Sequence, residues 1–431
     1  MSDIQILFRG LKGRDRLPFV NLDPDVGLSG LKGYKWLLYP GRWPGLSYRG
    51  PLGLWLPALS LSKGCLPLGF AKAKGGSATH PTPGGFHSPV DYFRIAGIAD
   101  LLRNSFAYFH PSPGLYVAAM NAKAQFPDEA SEDGEFQRQE DAFRGWVTDD
   151  GSSPHPVAHG RYHLYVSLAC PWASRTVIAR KVKRLEDTIG MTVVDPIRDE
   201  QGWAFREGPG YSADPVNGFR FLREAYAATD LNFNGRVTVP VLWDKAAGVI
   251  VNNSEDDICR MFNHAFHRLG DASVDLFPAD IAREQDELSA FIYQNVNNGV
   301  YKAGFATAQK SYETAARALF QALDQLEARL AGRRYLFGDR IVETDWRLFC
   351  TLIRFDAVYH GHFKCNLRRI VDYPNLDGYM RELYQQPGIA DTVNLDHIKR
   401  HYYVTHDDIN PTRIVPIGPW LDLRRPRARL S

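Results

Sequence analysis

From residue 161 onward the apolar positions fall into regular periods. Residues 161–169 (RYHLYVSLA) alternate and are rich in aromatic and β-branched side chains, which predicts a strand. A helix is expected directly after it: Pro171 suits a first helical turn, and Val177, Ile178, Val182, Leu185 and Ile189 recur at helical spacing until Gly190 supplies a stop. Residues 191–197 (MTVVDPI) predict a second strand. After a long polar connection, Arg236–Asp244 and Gly248–Asn252 predict a hairpin, and residues 255–266 (EDDICRMFNHAF) a further helix. Beyond residue 275 the period becomes helical, in residues 282–306, 309–332, 344–359 and 375–386. The segment HIKRHYYVTHDDINPTRIVPIGP is Pro-rich and reads as an irregular tail that packs back over these helices.

Strand–helix–strand followed by strand–strand–helix is the thioredoxin-like order, in which an active-site thiol sits where the first strand meets the first helix. The expected fold is therefore an α/β thioredoxin-like N-terminal domain, residues 161–268, joined to an all-α C-terminal bundle, residues 275–400. Residues 120–160 form a polar lead-in and 401–431 the irregular tail.

The first 119 residues differ. They hold 17 of the 37 Gly and 12 of the 27 Pro, with 13 Lys and Arg against 6 Asp and no Glu, and show no sustained period. They are expected to be disordered or to lie upstream of a true start at Met120, an organelle-targeting extension being the rival reading. The chain as a whole carries a net charge of +2 in 431 residues, too close to neutral for a nucleic-acid-binding or membrane surface. No apolar run approaches the roughly 20 residues a bilayer requires; the best, around Leu52–Leu61, is broken by Pro57. The five cysteines form no C-x-x-C pair, which indicates neither a disulfide framework nor a zinc site, and favours the reducing cytoplasm.

One of them carries chemistry. Cys170, in Cys-Pro-Trp-Ala, is placed at a helix N-terminus, where unpaired N–H groups and the helix dipole favour the thiolate. A dithiol oxidoreductase has its second cysteine at the position of Ala173, so whatever Cys170 captures must be released by an external thiol, for which glutathione is the candidate. Val239-Pro240 fits a cis-proline that presents a backbone amide to a thiol-bearing peptide, or equally a proline at a strand edge. The N–H groups after Ser254, with Ser254 itself, are placed to hold a γ-glutamyl carboxylate, or form an ordinary helix cap.

The segments SLACPWASRTVIARKVK, GWAF (202–205), VPVLWD, NNGVYKAGFA, RLFCTLIRFDAVYHGHFKCN and HIKRHYY followed by INP and VPIGP resemble the glutathionyl-hydroquinone reductases, the xi class of glutathione transferases. The likeness spans roughly residues 125–420. It implies glutathione-dependent reduction of glutathionyl-hydroquinones to hydroquinones, with Cys170 as nucleophile, Tyr301 as proton donor, and Tyr359 and Tyr402 at the hydroquinone. It further implies that Trp203, Arg236, Val237, Thr238, Val239, Pro240, Ser254 and Glu255 bind glutathione, in a cytoplasmic homodimer. Two departures stand out. The family's Glu-Ser pair is reversed here as Ser254-Glu255, and Val342 replaces the Ser or Thr that opens the superfamily's capping box, leaving Thr344 as a substitute cap. No metal, flavin or nicotinamide is expected, since no ligand cluster, P-loop or dinucleotide loop is apparent. The rival readings are an omega-like thioltransferase or dehydroascorbate reductase, which needs no set of three tyrosines, and a non-catalytic binding protein on the same scaffold, which needs no Cys170.

Overall fold

In the computed structural model the described residues are 129, 131 and 133–427, with the backbone of two short segments near the N-terminus. These segments, β1 (Gln5–Ile6) and β2 (Val20–Asn21), pair antiparallel. The expectations for residues 1–119 otherwise lie outside the described residues. Everything below belongs to Ala107–Ser431, one of the two units into which the chain divides.

A short parallel pair, β3 (Val147–Thr148) and β4 (His155–Pro156), precedes the main sheet. The sheet is built on β5 (Tyr162–Val166), all five residues of which are buried. This strand pairs in parallel with β6 (Gly190–Val193) and antiparallel with β7 (Val241–Asp244), which pairs with β8 (Val249–Asn252), giving the order β6-β5-β7-β8. The strand is covered on both faces, so the polar phase of its alternation is buried too: it carries Tyr165 and His163, whose Nε2 pairs with Thr192 Oγ1 at 2.8 Å. Helix α1 (Pro171–Val182) follows β5 after a turn closed by Cys170 N–H donating to Ser167 O at 3.1 Å.

The boundaries differ from the expectation in three places. α1 ends at Val182, and Gly190 opens β6 instead of stopping a helix; a Cβ there would lie 2.5 Å from His163 Nδ1. Residues 236–240 precede β7 and do not join the ladder, since Pro240 has no N–H to give it. The polar connection contains a helix, α2 (Arg223–Thr229), whose entry is tied by Glu224 Oε1 accepting from Phe221 N–H at 3.0 Å. Helix α3 (Glu255–His264) completes the sheet domain, burying Ile258, Cys259, Met261 and Phe262.

The helical half comprises α4 (Ala282–Ile292), α5 (Asn298–Gly304), α6 (Gln309–Arg329), α7 (Glu343–Arg354), α8 (Pro374–Tyr384) and α9 (Leu395–Arg400). α9 replaces part of the expected irregular segment, because the Asn394 side chain caps it by accepting from His397 N–H at 3.0 Å. Three π-helical turns interrupt the pattern, at Tyr293–Asn297 before α5, Phe355–Tyr359 after α7 and His401–Thr405 after α9. Among the described residues no helix is long and apolar enough to cross a membrane.

The Val342 departure is compensated. Asp345 Oδ2 accepts from Val342 N–H at 2.9 Å and Oδ1 from Leu336 N–H at 3.0 Å, with Tyr379 Oη donating to Oδ1 at 2.9 Å. Thr344 does not act as the cap: its hydroxyl pairs with Ser289 Oγ at 2.8 Å. Asp345→Ala leaves two buried N–H groups and a phenol unpaired, and is expected to cost about 2–4 kcal/mol in urea unfolding. A loss within roughly 0.5 kcal/mol of zero would contradict this role for the carboxylate.

Candidate active site

Cys170 occupies the N-cap position of α1 (φ −76°, ψ 123°) with Pro171 as the first helical residue. No side chain caps the helix, so its first N–H groups are left to the sulfur. The Sγ lies 3.7 Å from Val239 O, to which the thiol donates. Val239 is joined to Pro240 by a cis peptide bond.

Sulfur and segment open on a cavity of about 350 Å³. Its wall gathers Cys170, Trp203, Arg236, Val237, Thr238, Val239, Ser254 and Glu255, seven of the eight residues expected to bind glutathione together with the nucleophile; Pro240 is outside the wall. Thr238 is fixed from behind, its N–H donating to Tyr226 Oη at 3.1 Å while Tyr226 Oη donates back to Thr238 O at 2.9 Å. Asn253 adds a bond to Thr238 Oγ1 at 3.0 Å. Ser254 stands at the N-cap of α3 and makes no capping bond, leaving the first N–H groups of that helix without a side-chain cap at the wall.

Glu255 faces the cavity from the next position, and its carboxylate accepts from Arg175 Nη1 at 3.1 Å. Arg175, fully buried on α1, also pairs with Asp256 and with Glu343 of α7, and Arg347 of α7 closes the group on Asp256 and Glu343. Burial pushes the Glu255 carboxyl up, against the pull of Arg175.

The cavity also has residues that sequence reasoning passed over. Arg138, Asp141 and Arg144 come from the segment read as a polar lead-in, and Arg198 and Trp172 complete the cationic and aromatic part of the wall. The lead-in is held against β8: Gly145 N–H donates to Val251 O at 2.9 Å and Phe143 N–H to Asn253 Oδ1 at 2.8 Å, while Phe143 packs on Tyr226 and Phe233. Phe136 and Phe143, two of the aromatic residues in a largely polar run, were the available signal. Arg236 pairs with Glu129 of the same segment. Burial lowers Arg198 to about 9 and Arg236 to about 10, so both stay cationic near neutrality.

The three tyrosines form a cluster beside this wall. Tyr301 Oη and Tyr402 Oη are 2.5 Å apart, and Tyr402 Oη and Tyr359 Oη 3.0 Å. Tyr359 and Tyr402 are 0% and 1% exposed, and the half-buried Tyr301 stands behind the cavity wall, its ring 6.0 Å from that of the wall residue Trp172. Arg138 lies over both rings, at 4.3 Å from Trp172 and 5.1 Å from Tyr301. The π-turns place the set: Tyr359 and Tyr402 lie within two of them and Tyr301 follows the third. Burial raises all three phenols above their ordinary range, so they stand as protonated donors at neutral pH.

The thiol itself departs from expectation. Burial pushes the Cys170 thiol above its ordinary range; the N–H groups of Ala173 and Trp172, and Arg354 and Arg138, pull the other way without prevailing. The helix N-terminus therefore offsets desolvation instead of producing a standing thiolate.

A thioredoxin-like sheet with a cysteine at the N-cap position of its first helix, a cavity beside it and a helical second half together define the architecture of a glutathione transferase. The glutathione S-transferase N-terminal domain family matches residues 169–265 and the C-terminal domain family residues 309–382. Glutathionyl-hydroquinone reductase YqjG of Escherichia coli (strain K12) is 51% identical over 310 residues, covering 70% of this chain and 94% of that protein. The glutathione-bound structure of YqjG overlays with a TM-score of 0.65 at 50% identity, covering 67% of this chain and 96% of the other. The xi glutathione transferase of Phanerochaete chrysosporium overlays with a TM-score of 0.67 at 48% identity, covering 69% and 97%. The chain belongs to the glutathione transferases, in the xi-class family of glutathionyl-hydroquinone reductases.

Because desolvation outweighs the groups that favour the thiolate, alkylation of Cys170 by iodoacetamide, followed on its own peptide by mass spectrometry, is expected to keep accelerating as pH rises through 9. A plateau reached below about pH 7 would show that the helix N-terminus prevails after all.

Proposed function

We propose that this chain reduces glutathionyl-hydroquinones to free hydroquinones at the expense of glutathione, through a mixed disulfide on Cys170. The observation that carries the reading is the joining of two sites at one sulfur. On one side stand Val239 and the α3 N-terminus, suited to the glutathionyl peptide; on the other, protonated Tyr301 behind Trp172.

The substrate is a thioether, and attack on its sulfur requires carbon to leave with the bonding electrons. That is feasible from the keto tautomer of the ring. The Cys170 thiolate forms a bond to the glutathionyl sulfur, the sulfur–carbon bond breaks, and its electron pair passes through the ring to the carbonyl oxygen. That oxygen becomes a phenolate and takes a proton from Tyr301. Tyr402 and Tyr359, linked oxygen to oxygen behind Tyr301, support the donor by hydrogen bonding and stabilise the charge left on it. A second glutathione thiolate then attacks the mixed disulfide, regenerating the Cys170 thiolate and giving glutathione disulfide. The protein acts as a homodimer in the cytoplasm, the compartment where an unpaired nucleophilic cysteine stays reduced.

Purified protein given glutathione and glutathionyl-menadiol is expected to release one menadiol per glutathione disulfide, measured by chromatography. Cys170→Ala abolishes release, and Tyr301→Phe lowers kcat by roughly 10- to 100-fold. Release that survives Cys170→Ala sinks the reading. Brisk turnover of dehydroascorbate with none of the thioether moves the chain to the omega-like activity.

A further inference from the structure

Arg354, at the last turn of α7, is 2% exposed, and among the described residues no carboxylate lies within ion-pair distance of it. Its fork is spent on the backbone of the turn that carries the thiol. Nε donates to Ala169 O at 2.9 Å, and Nη2 to Leu168 O at 2.9 Å, to Ser174 Oγ at 2.6 Å and, more weakly, to Cys170 O at 3.4 Å. Nη1 returns to Cys350 O, within its own helix, at 2.8 Å. Ser174 Oγ passes its own proton to Cys170 O at 3.0 Å, so the carbonyls of Leu168, Ala169 and Cys170 are held by one guanidinium and its hydroxyl partner.

A buried cation without an anion is costly. Burying it here brings two effects no neutral side chain offers. Three consecutive peptide groups are fixed at the strand–helix junction, which sets the direction of the Cys170 side chain, and a permanent positive charge stands in a poorly solvated region behind the sulfur. We propose that Arg354 is the positioning residue of the thiol site, aiming Cys170 at the cavity and stabilising its thiolate across the boundary between the two halves of the protein. The inference rests on the reading of Cys170 as the reacting thiol. The other groups that act electrostatically with Cys170 are Arg138 of the lead-in, Arg198, Arg236 before β7, the Tyr301 phenol of α5 and the Cys350 thiol of α7.

The test uses full-length Arg354→Met and Arg354→Lys, checked for folding by thermal melting. Two quantities are read: the pH profile of iodoacetamide alkylation on the Cys170 peptide, and kcat and KM with glutathionyl-menadiol. Arg354→Met removes both the charge and the fork, and is expected to shift the profile up by about one unit, slowing alkylation about tenfold at pH 8, with kcat falling further than alkylation does and KM changing less than about twofold. Arg354→Lys keeps the charge and loses the fork. It retains the alkylation profile while kcat falls about tenfold, because one amine does not reach three carbonyls. A folded Arg354→Met with the wild-type profile overturns the inference. If that variant does not fold, Arg354→Lys decides alone: wild-type kcat, or a profile shifted by a full unit, overturns it. Cys170→Ala separates the two readings. Full activity there removes the premise, whereas activity lost there and unchanged in both Arg354 variants removes only the role of Arg354.

Discussion

The structure depends on the junction between β5 and α1. A strand buried on both faces runs into a turn, and the turn delivers one sulfur to the point where sheet, α3 and bundle meet. Local bonds close the turn, but no side chain caps α1. The rigidity comes from across the fold. Arg354 of α7 grips the carbonyls of the turn, and Arg175, one turn into α1, is locked to Glu255 and Asp256 of α3 and to Glu343 of α7. Both arginines are buried, and removing one carboxylate partner from the Arg175 group typically costs about 3–5 kcal/mol, because it leaves an uncompensated charge. The peptide end of the cavity, the thiol and the bundle are thereby held in one frame.

That frame explains how one site serves two chemistries. In the proposed reaction the glutathione side is main chain: the segment Val237–Val239, fixed by Tyr226 and Asn253, and the uncapped N-terminus of α3. Backbone groups cannot drift, and they suit a peptide present in every turnover. The aromatic side is built from side chains on two π-turns and on the helix that follows a third, arranged so that Tyr402 bridges Tyr301 and Tyr359. A chain of buried phenols holds its protons at neutral pH and stabilises the phenoxide left after one is given away. Arg138, lying over Trp172 and Tyr301, joins the two sides.

Much of this was legible in the sequence, for identifiable reasons. The alternation at 161–169 and the periodicity around Val177 and Ile178 are strong local signals, and an N-capping cysteine followed by proline follows from their order. The tyrosines were not legible from periodicity; in a chain with 20 of them, only the flanking motifs mark Tyr301, Tyr359 and Tyr402. What escaped depends on contacts distant in sequence. Arg354 lies 184 residues from Cys170, and its helix reads as ordinary amphipathic pattern. Arg138, Asp141 and Arg144 sit in a polar run that offers few apolar positions beyond Phe136 and Phe143. Spacing reveals the helix N-terminus that favours the Cys170 thiolate but not the burial that opposes it.

The most direct test of the account is the covalent state of Cys170 after a single half-turnover. The protein is mixed with one equivalent of glutathionyl-menadiol in the absence of free glutathione, quenched with acid, digested and examined by mass spectrometry, while menadiol is measured by chromatography. The account predicts one glutathionyl group on the Cys170 peptide for each menadiol released, removed again by added glutathione. Menadiol released with Cys170 unmodified, or with the glutathionyl group on another cysteine, would contradict it.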